Sequence, residues 1–196
     1  MKSMMWMSLA VASLFLLTCS SVESCICMGM HLQRDVCTSN VVIKGKFLRF
    51  AKPSQTPNTG RSMPIYTFDV DVQEVFKGGE RIRIMNFTTT STRCTFEMNP
   101  CNLNVEYVIA GNIGPGSVEL NSCNYIKPWS ELSSEQVVGL RGAYAEGCSC
   151  EVATKKYIFG KNQCIFDVPG PQGTDQDLTK RCLLNVDGTC SWKPMA

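Results

Sequence analysis

Twelve cysteines in 196 residues limit what this chain can fold into, because thiols at that density are usual in disulfide-stapled secreted domains and unusual in a reducing cytosol. The N-terminus agrees with that compartment. Lys2 precedes an apolar run from Leu9 to Leu17, and small and polar residues follow, which is the layout of a signal peptide and too short for a bilayer span. Val22-Glu23-Ser24 before Cys25 satisfies the cleavage rule, with Thr18-Cys19-Ser20 as a second site. Cleavage after Ser24 removes residues 1–24, Cys19 among them, and leaves 11 cysteines. An odd number requires at least one thiol to be unpaired or to bridge two chains. The expected location is extracellular.

Composition removes whole function classes. His31 is the only histidine, so no cluster of His ligands for zinc can form and only one residue could serve an imidazole-based nucleophile pair. Catalysis is the weaker hypothesis. A net charge of +2 with no run of like charges gives no electrostatic case for binding a phosphate backbone, and nucleic acid is disfavoured as a partner.

The periodicity is that of strands. Val41 to Leu48 is rich in β-branched residues and ends before the loop-forming stretch Pro53 to Gly60. From Ile65, Tyr66, Phe68, Val70 and Val72 share one face and Thr67, Asp69, Asp71 and Gln73 the other, a half-buried strand whose acidic pair is a solvated face rather than an acid–base couple. After Gly78-Gly79 come strand-like runs at Arg81 to Phe87, Val105 to Ala110 and Val118 to Asn121. Ser133-Ser134-Glu135-Gln136 has capping-box spacing, and Val137, Leu140 and Tyr144 follow at helical spacing, so a short helix should pack on the sheet. Five antiparallel strands and a helix predict a mainly β fold, an OB-like closed barrel. Cys148-Ser149-Cys150 marks a boundary. Beyond it lie Cys164, Cys182, Cys190 and the loop-forming run Pro169 to Gly173. A piece that small relies on disulfides. The expected division is a signal peptide at 1–24, a barrel domain at 25–148 and a disulfide-stapled module at 149–196.

Three features bear on sites. Cys25-Ile26-Cys27 stands at the predicted mature N-terminus with Cys37 ten residues on. In an extended segment Cys25 and Cys27 point the same way, a mutual bridge is strained, and each should reach a distant partner. A stapled terminus is one reading, and a zinc site, without further His, is disfavoured. His31 reads as a polar structural residue rather than a general base. Asn86-Phe87-Thr88 is an N-glycosylation sequon, but Asn86 continues the phase of Ile82 and Ile84, expected to face inward, so modification requires a bulge or an earlier strand end.

These residues resemble the tissue inhibitors of metalloproteinases. The resemblance rests on Cys25-Ile26-Cys27, on His31 and Gln33 before Cys37, on Val42-Ile43-Lys44-Gly45-Lys46-Phe47, on Val108-Ile109-Ala110-Gly111, on Cys123 followed by Pro128-Trp129, and on Gly147-Cys148. It covers essentially the whole mature chain. It implies a netrin-like OB-type inhibitory domain, a smaller C-terminal module, no cofactor of its own, and zinc metalloproteinases of the matrix type as partners. The inhibitor would chelate the target's catalytic zinc through the amine and carbonyl of Cys25, with Ile26, Cys27, Met28, Thr92 and Arg93 completing the contact. The implied disulfides are Cys25–Cys94, Cys27–Cys123, Cys37–Cys148, Cys150–Cys190 and Cys164–Cys182. Cys101 has no family counterpart and is expected to be unpaired, and one C-terminal pair of the vertebrate pattern is missing. Ile26 and Met28 stand where the family usually has Thr and Val, and Thr92-Arg93 where it has Ser-Val, which bears on target preference. The competing reading is a non-inhibitory netrin-like extracellular binding or matrix module, which needs no free amine on Cys25.

Overall fold

Two strands with both faces covered organise the molecule. The computed structural model describes residues 31–49, 52–54, 65–78, 84–90, 103–114, 117–154, 162–166 and 178–195. Strands β1 (Val41–Phe47) and β5 (Glu106–Gly114) pair antiparallel, from Val41 opposite Gly111 to Lys46 opposite Glu106. Val41, Ile43, Phe47 and Ile109 enter the barrel core with Phe68, Val70, Phe87 and Leu120. Val42, Val108 and Ala110 belong to a second core, where helix α1 (Leu32–Thr38) and the chain at Leu140 and Tyr144 cover them. Where both faces are buried, at 41–43 and 108–110, the sequence reads as a continuous apolar run.

Strands β3 (Ile65–Lys77), β4 (Ile84–Thr90) and β6 (Ser117–Glu119) complete the ring, in the order β1-β3-β4-β6-β5 with β5 returning to β1. The result is the expected closed five-stranded barrel. One pairing departs from the antiparallel expectation: β4 and β6 are parallel, Phe87 opposite Val118. The reason is topological, since an odd number of strands cannot alternate direction all the way round a closed ring. Two short strands join the sheet at its margins, β2 (Lys52–Ser54) on β3 and β7 (Ile126–Pro128) on β5, the first lying where a loop was expected.

Strand β3 follows the predicted alternation and then runs on past Gln73 to Lys77, with irregularities in its pairing with β1 on either side of Ile43–Lys44. Extra residues of this kind bend a strand and let it wrap a barrel. A Cβ on Gly45 would sit 2.6 Å from Val70 Cγ1 and 3.0 Å from the Asp71 carbonyl oxygen, so β3 crosses β1 this closely only where residue 45 has no side chain. In β4 the phase differs from expectation. Phe87 and Thr89 are buried and Asn86 is exposed, so the sequon asparagine points out of the barrel wall without a bulge.

The capping box forms as read. Ser133 Oγ accepts from the Gln136 N–H at 3.1 Å, and Gln136 Oε1 accepts from the Ser133 N–H at 3.1 Å, opening α2 (Ser134–Val138). The helical path continues as a π turn over Gly139–Ala143 and a 3₁₀ turn over Ala145–Gly147. Beyond Cys148, β8 (Glu151–Thr154) lies parallel to β9 (Gln163–Phe166), and β10 (Lys180–Leu184) forms a hairpin with β11 (Cys190–Pro194). Their own core is Cys150, Val152, Cys164, Phe166 and Cys182, strands that the sequence reading did not foresee. Among the described residues no helix is long and apolar enough to cross a membrane.

Candidate functional site

Helix α1 is the first described element after the predicted mature N-terminus, and its buried side chains anchor it to the rest of the molecule. His31 is its N-cap: Nδ1 accepts from the Gln33 N–H at 3.1 Å. The His31 ring is fully buried, with ring centroids 5.9 Å from Tyr144, 5.4 Å from Phe166 and 4.8 Å from Trp192. A ring enclosed in this way, with Nδ1 committed to the helix, is structural. Gln33 reaches further. Its Nε2 donates to the Cys182 carbonyl at 2.8 Å and its Oε1 accepts from the Cys182 N–H at 2.6 Å. The amide copies a peptide unit on the edge of β10 that β11 leaves open. Room for this comes from Gly147, where a Cβ would fall on the Cys182 carbonyl oxygen and the Gln33 amide.

The other end of α1 is fixed covalently and electrostatically. Cys37 is bonded to Cys148, 111 residues away. Lys77 Nζ donates to the Val36 and Cys37 carbonyls at 2.8 and 2.9 Å, placing a cation on the carbonyls that a helix C-terminus leaves without partners. Between them Asp35 is 5% exposed, and one of its carboxylate oxygens has no partner. Burial pushes its pKa up to about 7, against the opposing pull of the Arg34 charge and of backbone N–H groups at Asp35 and Tyr125. Beside the helix an open groove of about 350 Å³ runs between Val36, Phe76, Lys77, Leu140 and Cys148, with Glu74 and Arg141 paired at its rim at 3.3 Å.

Just before Tyr125 the chain turns at Asn121–Asn124, where the Cys123 N–H donates to Asn121 Oδ1 at 2.8 Å and the Asn121 N–H to Asn124 Oδ1 at 2.6 Å. Cys123 is disulfide-bonded; the partner implied for it, Cys27, lies outside the described residues. Trp129, after Pro128, stacks on Phe76 with centroids 6.0 Å apart and planes 2° from parallel, and Lys44 Nζ lies 4.7 Å from the Trp129 ring centroid. Lys44 also meets Glu106 at 2.8 Å, and this bond holds the Glu106 carboxyl below its ordinary pKa.

In the C-terminal part Cys150 is bonded to Cys190 and Cys164 to Cys182, and no described cysteine is free. The Cys150, Cys182 and Cys190 sulfurs lie within 4.8 Å of one another, the one grouping of metal-ligand type among the described residues. Locked in disulfides, they are not thiolate donors. The predicted contact residues Cys25, Ile26, Cys27, Met28, Thr92 and Arg93, together with Cys94 and Cys101, lie outside the described residues. What the structure describes is α1, the Cys123 turn and the Gln33–Cys182 clamp.

A sequence profile described as tissue inhibitor of metalloproteinase matches residues 23–192. The chain belongs to that family. Among curated relatives, Metalloproteinase inhibitor 4 of Mus musculus is 27% identical over 188 residues, covering 87% of this chain and 80% of the relative. Metalloproteinase inhibitor 3 of Scyliorhinus torazame and Metalloproteinase inhibitor 2 of Homo sapiens are each 27% identical, covering 87% of this chain and 81% of theirs. Within this family member, sequence reasoning marked His31, Gln33 and Gly147 without assigning what they touch, and it passed over Asp35. For Gln33 the partner is 149 residues away in sequence, and no local pattern encodes it. Asp35 carries a local signal, an acid one residue from Val36 inside an apolar stripe, that only burial makes informative.

Proposed function

We propose that this chain is a secreted protein inhibitor of zinc metalloproteinases of the matrix type, which coordinates the target's catalytic zinc through the α-amino nitrogen and carbonyl oxygen of Cys25. The observation that carries the reading is a Cys-x-Cys at the predicted mature N-terminus, in a chain of this family, leading within six residues into the anchored His31. A catalytic zinc keeps one position for water, and a rigid N,O donor can take that position and displace the nucleophile. Rigidity comes from bonding Cys25 to Cys94 and Cys27 to Cys123, which removes entropy that a loose terminus would lose on binding. Ile26 enters the specificity pocket, and Met28 and Thr92-Arg93 extend the contact along the cleft. The chain performs no catalysis and carries no cofactor of its own. Residues 25–148 form the inhibitory domain and 149–196 a C-terminal module.

The ligand must be the neutral amine, whose unperturbed pKa is about 7.7–8.0. Binding therefore weakens as pH falls, by up to about tenfold per unit, after correction for the enzyme's own titration. The decisive variant adds one Ala before Cys25. Nanomolar affinity, worth about 12 kcal/mol, is expected to vanish largely against a panel of metalloproteinases while circular dichroism stays native. Undiminished inhibition across the panel refutes chelation by Cys25 and favours the non-inhibitory or exosite-binding module.

A further inference from the structure

We propose that Asn86 carries an N-linked glycan, added before the barrel closes. Asn86-Phe87-Thr88 is the only Asn-x-Ser/Thr sequence in the chain. The sequon lies within a barrel strand, and the structure decides which way it faces. Phe87 is fully buried and Thr89 is 3% exposed, which fixes the phase of β4 and turns Asn86 outward, where it is exposed. Opposite Asn86 stands Asp69, paired with Arg49 at 2.9 Å, so the surrounding face is polar and charged. Among the described residues no hydrogen bond engages the Asn86 carboxamide. A sugar at its nitrogen displaces no hydrogen bond among the described residues, and the exposed position of Asn86 turns it toward solvent.

The same geometry dates the modification. The transfer forms a bond between Asn86 Nδ2 and the anomeric carbon of an oligosaccharide carried on a lipid diphosphate. The carbon–oxygen bond to the diphosphate breaks, the lipid diphosphate leaves with the electron pair, and the amide gives one proton to the transferase. The transferase must read the third-position hydroxyl on an accessible segment. In the folded barrel that hydroxyl is engaged: Thr88 Oγ1 and Ser117 Oγ share a hydrogen bond of 2.9 Å, and the Thr88 carbonyl accepts from the Leu120 N–H at 2.8 Å. Strand β4 is paired with β3 on one side and β6 on the other. Extracting Thr88 means opening the ring and exposing Phe87, so the acceptor is the chain before β6 docks.

The proposal needs passage through the secretory lumen and does not depend on inhibition. Full-length chain made in glycosylating eukaryotic cells is digested with trypsin, and the peptide Ile84 to Arg93 is read by mass spectrometry before and after enzymatic release of N-glycans in ¹⁸O water. The expected result is a glycopeptide that release converts to Asp at position 86, with Asn86→Gln losing one glycan and remaining folded. Recovery of that peptide with unmodified Asn86, from cells or medium, overturns the site. In a second arm, unglycosylated chain is offered to microsomal transferase with a lipid-linked donor, once oxidised and folded and once reduced and unfolded. Modification of the unfolded chain alone is expected. Equal modification of both overturns the order of events.

Discussion

Asp35 is the residue whose ionisation the fold opposes most clearly. Its carboxyl ionises near 3.8 in the open chain and near 7 when buried. Below the first value both states hold the proton, and above the second neither does, so stability is flat at the two ends. Between them the unfolded chain releases a proton that the folded chain keeps, and stability falls as pH rises through the window. The loss accumulates to roughly 4 kcal/mol by linkage at about 1.4 kcal/mol per unit. Asp35→Asn preserves shape and removes the titration. Urea midpoints at pH 4.5 and pH 7.5 are expected to diverge for the native chain and to coincide more nearly for the variant, with the variant the more stable at pH 7.5. Parallel pH profiles for the two proteins would refute the assignment.

At the scale of elements, what was legible follows from where each element takes its stability. Strands β1 and β5 were legible because two cores draw on the same run, and β3 because one face is wet. Helix α1 was not: seven residues with Leu32 and Val36 as its apolar contacts are too short to hold by propensity, and its stability comes from the His31 cap, the Lys77 cation and the Cys37–Cys148 bond. By chain entropy a bond closing so long a loop contributes on the order of 5 kcal/mol. Strands β8 to β11 were hidden because cysteines occupy their core positions; in β9 the buried pair is Cys164 and Phe166, and alternation with a cysteine looks like a staple rather than a strand. The phase of β4 was missed by extrapolating from Ile82 and Ile84, when Phe87 sets it. The contact residues around Cys25 were legible only through family resemblance, since backbone chelation leaves no side-chain signature. Gly147 tests the frame at this scale. Gly147→Ala drives a methyl into the Cys182 carbonyl and the Gln33 amide, and overpacking with loss of the paired hydrogen bonds is expected to cost about 3 kcal/mol. Chemical denaturation reads the cost, and an unchanged midpoint would mean that the close approach at Gly147 is not required.

For the whole molecule, the question is whether the part beyond Cys148 behaves as a separate body. It has its own core and its own two disulfides, and among the described residues no disulfide joins it to the barrel. Yet it makes contacts with α1 and with the helical segment that follows Ser133. His31 packs on Phe166 and Trp192, and Gln33 holds both backbone polar groups of Cys182. Arg181 bonds the Ala143 carbonyl at 3.2 Å and Glu146 at 2.6 Å, and Ser133 Oγ donates to the Leu178 carbonyl at 2.6 Å. Opening this junction exchanges its hydrogen bonds for bonds to water, at about 0.5–1.5 kcal/mol each, and wets the packed His31, Phe166 and Trp192 rings. The two parts should therefore unfold together. Gln33→Leu keeps the volume of the side chain and removes both hydrogen bonds, leaving the Cys182 N–H and carbonyl facing hydrocarbon. Calorimetry of the disulfide-intact chain is expected to give one transition for the native protein, and for Gln33→Leu a lower first transition separated from a second. A single transition in the variant, displaced no further than an exposed substitution displaces it, would mean that the junction is held elsewhere and that the Gln33 amide is incidental to it.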